Sequence, residues 1–304
     1  MKHIIVILIL IILNSCAEST DQSKQNTTDI RKKIEKGEMT PIEHNIEGAG
    51  KNSRIEEKND STTIKTSSRQ EILTDDNTKK SSQELVNSDF HDYISLSSFL
   101  NDHVSPSGKV NYSSAKDAIG ELEQIIIQFQ NNLPETTWSQ NQKLAYWINA
   151  YNLFTIKLVV SNYPVTSIKD ISDKPWDKVF IKLGTKSLSL NDIEHEEIRS
   201  NFNEPRIHFA LNCASESCPK LLNKAYKSST LNSQLTQSTQ LFLKDRSKND
   251  LTDPNNVKIS QLFDWYKTDF DQEGKVIIFI NKYLDIPLDN PTISYLDYSW
   301  KLNN

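Results

Sequence analysis

Residues 208–219 contain the side chains of this chain that are best suited to chemistry, two cysteines preceded by a histidine. The apolar run 206–211 predicts a buried strand, and the polar run that follows it contains Cys213 and Cys218. Pro219 is typical of the first turn of a helix, which would make Cys218 its N-cap. Unpaired backbone N–H groups and the helix dipole at such a position lower the pKa of a cysteine and favour the thiolate. The pattern therefore predicts a nucleophilic cysteine that follows a strand.

Two histidines could serve as the base that such a cysteine needs. His208 lies on the predicted strand just upstream, and His195 lies on the preceding predicted helix. A thiol beside an imidazole has the parts of a cysteine hydrolase. One hypothesis is therefore a thiol-dependent hydrolase that acts on peptide or cell-wall amide bonds. Its nucleophile would be Cys218, with Cys213 as the second choice, and its base would be His208 or His195.

Polar side chains near these residues could orient a catalytic group or bind a substrate. Asn149 and Asn152 are three residues apart on a predicted apolar helix, and Asn212 and Ser215 lie on either side of Cys213. Buried amides need hydrogen-bond partners, so the two helix asparagines either fix a neighbouring loop or strand or take part in the site. In the hydrolase hypothesis Asn149 or Asn212 is the orienting group. The substrate would be bound by Asn152, Asn212 and Ser215.

The same cysteines allow other interpretations. Cys213 and Cys218 could form a local disulfide, because an envelope protein lies in an oxidising compartment. They could also bind zinc together with His195 or His208, although four intervening residues fall just outside the usual ligand spacing. They could finally be free structural thiols. With a disulfide, the competing function is that of a non-catalytic binding or scaffolding protein in which this segment is a structural corner.

The elements that must position these residues are mainly helices. Apolar residues at helical spacing predict helices over 90–104 and 114–133. Ser139 and Gln142 form a predicted capping box for a helix over Gln140–Asn162. That helix is apolar nearly all round, so we expect it to be the central, buried helix of the domain.

The second half of the domain combines a hairpin with further helices. Residues 179–190 alternate about a turn at Gly184, which predicts a β-hairpin. Asn191 and Glu194 are predicted to cap the helix that follows. Further helices are predicted over 231–244, 261–269 and 275–284. The predicted class is α+β, a mostly helical single domain around a buried central helix with a small β-sheet.

The N-terminus carries the features of a lipoprotein signal peptide. A short basic start precedes ten uncharged apolar residues, 4–13, which are too few to span a bilayer and suit a signal h-region. The sequence Leu13-Asn14-Ser15-Cys16 resembles a bacterial lipobox. We therefore predict cleavage after residue 15 and anchoring to the lipid bilayer through acylated Cys16. Because Ala17 follows the cysteine, the outer membrane of the cell envelope is favoured over the inner one.

Composition separates a tether from a globular domain. All Phe, Tyr and Trp residues lie at Phe90 or later, so residues 16–89 are predicted to be a disordered tether and 90–304 the domain. The net charge of −5 argues against nonspecific nucleic-acid binding, which depends on basic patches. Apart from the zinc alternative at the two cysteines, no sequence pattern calls for a cofactor or a resident metal.

The domain resembles the family known as domain of unknown function 547. The resemblance is carried by the stretch 144–152, in which Trp147-Ile148-Asn149-Ala150-Tyr151-Asn152 is the most specific part, by the helix start at residues 190–195 and by the segment 208–219. Residues 265–270 and 298–303 add to it, although Ser299 stands where the family favours an acid. The resemblance implies a cell-envelope protein, and it brings no established activity.

Overall fold

The computed structural model describes residues 89–271 and 274–304. The predicted signal peptide 1–15, the lipidation site Cys16 and the predicted tether as far as residue 88 lie outside the described residues. Within the part of the chain that is described, no helix has the length and apolar character needed to cross a membrane.

The domain is mostly helical, with short strands in two small sheets, so the predicted α+β class is confirmed. Its α-helices are α1 Ile94–His103, α2 Tyr112–Asp117, α3 Ile119–Asn131, α4 Gln140–Asn162, α5 Leu231–Lys244, α6 Leu262–Trp265, α7 Lys267–Asp271 and α8 Val276–Asn281. Its strands are β1 Ile181–Leu183, β2 Lys186–Leu188, β3 Asn256–Ile259 and β4 Thr292–Tyr295. A π-helix covers Asp192–Arg199, and short 3₁₀ helices cover Phe90–Asp92, Ile168–Asp170, Pro175–Asp177 and Pro205–Phe209.

Helix α4 is the centre of the domain, as its apolar character predicted. Its capping box forms as expected, because the Ser139 hydroxyl accepts from the Gln142 amide and the Gln142 side chain accepts from the Ser139 amide. Nearly every residue from Leu144 to Val160 is buried. The helix packs against α2, α3 and the π-helix, so its face toward the π-helix can contribute side chains to a site.

The predicted hairpin is confirmed, and a second sheet was missed. Strands β1 and β2 pair antiparallel, and Gly184 supplies the left-handed conformation of their turn with φ of 59°. Strands β3 and β4 pair in parallel although more than thirty residues separate them along the chain. Local alternation could not reveal a pairing between such short and distant strands.

Two predictions for the segments before the cysteines are wrong, namely the strand over 206–211 and the side-chain cap at Asn191. The run 206–211 is not a strand, since Pro205 and the Glu204 side chain, which accepts from the Arg206 amide, start the 3₁₀ helix Pro205–Phe209. Asn191 does not cap the next helix through its side chain. Instead the Ser189 hydroxyl accepts from the Asp192 amide and the Asp192 carboxylate accepts from the Ser189 amide.

The 3₁₀ helix Pro205–Phe209 joins the two apolar cores of the domain. Ile207 packs in the larger core around α4, whereas Phe209 packs in a smaller core with aromatic side chains of α5, α6 and α7. His208 lies between these two anchors and is buried. Its position is therefore fixed from both sides, which suits a residue that faces a site.

Candidate functional site

A small cavity of about 200 Å³ is lined by several side chains that could take part in catalysis or in ligand binding. Tyr151 of α4 contributes to it, as do Glu194 of the π-helix, His208 of the 3₁₀ helix and the two cysteines. Its remaining lining residues are Trp176, Asn191, Leu211, Pro219, Leu262, Trp265, Tyr266, Tyr298 and Trp300. Three candidate catalytic residues, His208, Cys213 and Cys218, therefore meet at one cavity.

The two cysteines are joined as a disulfide, with their Cα atoms 6.2 Å apart. Three donors point at the sulfur of Cys218: the Cys213 amide at 2.9 Å, the Ser215 hydroxyl at 3.3 Å and the Tyr298 hydroxyl at 3.4 Å. Burial, the largest cause, raises the pKa of Tyr298 to about 12, so this phenol stays protonated at neutral pH. Hydrogen bonds to the sulfur would favour its thiolate if the disulfide were reduced.

The predicted helix after Cys218 does not form, and the next α-helix is α5, which begins at Leu231. The expectation that Cys218 is an activated N-cap is therefore wrong. The segment is held by the C-terminus instead, because the Glu216 amide donates to the Lys301 carbonyl at 2.7 Å and the Ser299 amide donates to the Ser217 hydroxyl at 2.8 Å. Because no helix begins at Cys218, there is no helix dipole here to stabilise a thiolate.

The candidate binding residues Asn152 and Asn212 are occupied by backbone hydrogen bonds. The Asn152 amide group donates to the Ala210 carbonyl at 2.9 Å and accepts from the Asn212 amide at 2.8 Å. The Asn212 side chain donates to the Pro219 carbonyl and accepts from the Ala214 amide. The two amides therefore clamp the cysteine loop onto α4, which is the structural alternative considered for Asn152 but not for Asn212.

Asn149 has the same structural role one turn earlier. Its amide group donates to the Tyr226 carbonyl and accepts from the Tyr226 amide, each at 2.8 Å. His195, a candidate base, contacts Arg199 of its own π-helix through Nδ1 at 2.8 Å. Neither Asn149 nor His195 lines the cavity that contains the cysteines.

His208 is oriented by a carboxylate that the sequence did not reveal. Its Nε2 lies 2.8 Å from Oδ2 of Asp269, which also accepts two hydrogen bonds from Arg199, at 2.7 and 2.8 Å. Burial opposes ionisation of Asp269, but the hydrogen bonds and charges of His208 and Arg199 hold its pKa well below the ordinary value. A carboxylate on Nε2 fixes the ring and leaves Nδ1 for other partners.

Glu194 is the buried acid of the cavity, with only 5% of its surface exposed. The hydroxyls of Tyr151 and Tyr266 hydrogen-bond to it, and burial together with this carboxylate raises the pKa of both phenols. Among the described residues no Lys, Arg or His forms an ion pair with Glu194. The hydrogen bonds to this buried carboxylate therefore come from neutral donors.

An aromatic wall of Trp176, Trp265, Tyr298 and Trp300 forms another side of the cavity. Trp265 and Trp300 are nearly parallel, with ring centroids 5.8 Å apart and planes at 17°. Trp176 meets Trp300 edge-on at 5.3 Å, and Tyr298 lies within 4.8 Å of Trp265 and 4.6 Å of Trp300. Trp265 remains 46% exposed, so the wall is open to solvent and to a ligand.

Sequence reasoning missed Glu194, Asp269 and the aromatic wall as parts of one site. Glu194 was assigned to helix capping, and the wall comes from three separate parts of the chain. The usable signal was the match of 190–195, 265–270 and 298–303 to the family pattern. Within the described residues there is no cluster of His, Cys, Asp and Glu that could hold a metal ion.

Residues 135–243 match the model of the family described as "Protein of unknown function, DUF547", which supports the domain family that the sequence motifs indicated. The match includes α4, Glu194, His208 and both cysteines of the cavity. Asp269 and three members of the aromatic wall, Trp265, Tyr298 and Trp300, lie beyond it. Comparison with curated proteins and with solved structures gave no significant match.

Proposed function

We propose that this chain is a lipid-anchored envelope protein that binds a small ligand in the cavity between Glu194 and the aromatic wall. The observation that carries the proposal is the cavity itself, which pairs an open aromatic surface with a buried acid. Concave, mostly apolar cavities with a few convergent polar groups are the usual form of ligand sites. The disulfide, Asn152 and Asn212 serve in this function as the frame of the cavity.

Anchoring through Cys16 is the part of the proposal that cell fractionation tests. A Cys16→Ala chain whose residues 1–15 are replaced by an ordinary secretory signal peptide is still cleaved but cannot be acylated, so we expect it to leave the membrane fraction for the soluble fraction. A matched Ser15→Ala chain keeps a small residue before the cysteine and should stay with the membrane. Membrane retention of the Cys16→Ala chain would contradict lipid anchoring at this residue.

A thiol-dependent hydrolase is the second candidate, favoured by the three donors around the Cys218 sulfur and by the Asp269–His208 pair beside the same cavity. It requires reduction, in which a dithiol donor supplies two electrons and two protons and itself becomes a disulfide. Cys218 would then attack an amide carbonyl and form a thioester. The amine would leave with a proton from His208, and water would hydrolyse the thioester.

Alkylation followed by intact-mass measurement separates the two functions. We use the full-length Cys16→Ala chain, which contains only Cys213 and Cys218. We expect no label before reduction and two labels after it, because the sulfurs are bonded to each other. After reduction, one cysteine that reacts much faster than the other below pH 7 would favour the hydrolase, whereas equal and slow rates for both cysteines would contradict it.

A further inference from the structure

The ligand class can be inferred from the two unlike sides of the cavity, an inference that rests on the proposed binding function. On one side, Glu194 is 95% buried. Its carboxylate accepts hydrogen bonds from the neutral hydroxyls of Tyr151 and Tyr266. Burying a charge is costly unless an opposite charge accompanies it. A cationic ligand would supply the missing charge.

The cation whose charge acts on Glu194, Arg199, has its hydrogen bonds committed to another carboxylate. Arg199 lies on the same π-helix as Glu194, but its guanidinium makes two hydrogen bonds with the carboxylate of Asp269. That bidentate geometry satisfies the planar group and cancels its charge locally. Among the described residues Glu194 thus has no ion-pair partner, and the charge of Arg199 acts on it only beside the stronger contact of Arg199 with Asp269.

The aromatic wall is suited to the same class of ligand. The faces of Trp and Tyr rings attract cations, and Trp is the most effective of the aromatic residues. Trp300 already accepts one cation in this structure, since the ammonium of Lys169 lies 3.8 Å from its ring centroid. Trp265 stacks on Trp300 and is itself 46% exposed, so Trp265 provides the accessible aromatic surface of the wall.

The size of the cavity further restricts the class of ligand. A volume of about 200 Å³ is below the range of about 300–1,000 Å³ that is typical of sites for drug-sized molecules. It suits a head group rather than a whole large ligand. A primary ammonium would call for several acceptors, whereas aromatic rings with a single carboxylate are the usual surroundings of a methylated ammonium.

We propose that the cavity binds a quaternary ammonium head group, with Glu194 as its counter-charge and Trp265, Tyr298 and Trp300 as its aromatic contacts. Such a group occurs on free small molecules and on zwitterionic lipids. Both sources share the trimethylammonium that the site would recognise.

The test compares choline with its neutral isostere 3,3-dimethylbutan-1-ol, using the full-length Cys16→Ala chain and its tryptophan fluorescence. Three of the five tryptophans line the cavity, so occupancy should change the emission. We expect choline to bind at least about tenfold more tightly than the isostere, corresponding to a partly desolvated cation–π contact. Vesicles of phosphatidylcholine and of phosphatidylglycerol then distinguish a lipid head group from a free ligand.

Three substitutions test which side chains contact choline. Glu194→Gln keeps the hydrogen-bonding shape without the charge, and we expect it to weaken choline binding about tenfold or more while leaving the isostere unaffected. Glu196→Gln, an exposed acid on the same π-helix, is the matched control and should bind choline normally. Trp265→Leu removes a half-exposed ring, so it tests the aromatic wall even if Glu194→Gln does not fold.

The outcomes separate this inference from the proposed binding function. Equal binding of choline and its isostere, or unchanged choline binding by Glu194→Gln, would overturn the ammonium assignment. Trp265-dependent binding of glucose in place of choline would overturn it too, yet would leave a ligand-binding function standing. If neither choline, its isostere nor glucose bound in a way that depends on Trp265, both the ammonium assignment and the proposed ligand-binding function would be overturned.

Discussion

Replacing Asn152 by Ala should destabilise the domain by about 4 kcal/mol, because each buried backbone group that loses its hydrogen-bond partner costs about 1–3 kcal/mol. The Asn152 amide group satisfies two such groups, the Ala210 carbonyl and the Asn212 amide. All three residues are buried, so water cannot replace the missing partner. The volume left by the side chain adds a smaller cost of the same sign.

The measurement is the free energy of unfolding from urea titration followed by circular dichroism. Asn141→Ala is the matched control, since Asn141 is an exposed asparagine on the same helix α4 and should change stability by less than about 0.5 kcal/mol. If Asn152→Ala were as stable as the control, the clamp between α4 and the cysteine segment would not be a stabilising contact. A loss of ligand binding without a loss of stability would instead place Asn152 in the binding site.

The sequence was most informative where structure is local. Helix α4 starts and ends where its capping box and its apolar run predicted, and α5 has its predicted limits, because helix formation depends on neighbours a few residues apart. The hairpin at Gly184 is equally local. The prediction of a strand over 206–211 was wrong because a short apolar run does not distinguish a strand from a buried 3₁₀ turn. Among the described residues no partner strand lies beside this run.

The candidate site was predictable only in part, since its members are brought together by tertiary packing. His208 and the two cysteines stood out because they are close in sequence. Glu194 lies in the family-like stretch 190–195, but an acid near the start of a helix is ordinary capping chemistry, so its place in the site was not recognised. Asp269 reaches His208 from sixty-one residues away, a separation that no spacing rule can anticipate. The asparagines were found correctly as buried polar residues, but only the hydrogen bonds show that they hold backbone.

Asp269→Asn is expected to lower stability at pH 7 by about 2 kcal/mol. Asp269 is the common acceptor for Arg199 and His208, and its side chain is only 19% exposed. Breaking a buried pair by removing one partner costs about 3–5 kcal/mol, and partial exposure of Arg199 reduces the effect here. The control is Asp271→Asn on the same helix α7, because Asp271 pairs with Lys267 at the surface and should contribute little.

The pH dependence identifies charge as the cause of this effect. The pKa of Asp269 is lower in the folded state than in the unfolded chain, so its contribution is fully present above the unfolded value of about 3.9. The contribution is lost as the pH falls from there toward the folded value, where the carboxylate takes up a proton. Unfolding free energies at pH 7, 5, 4 and 3 should therefore show a constant gap between the natural chain and Asp269→Asn down to about pH 4 and a shrinking gap below it. A gap that stays constant to pH 3 would attribute the effect to shape rather than charge, and the Asp269 carboxylate would then not be the group that holds His208 and Arg199 in place.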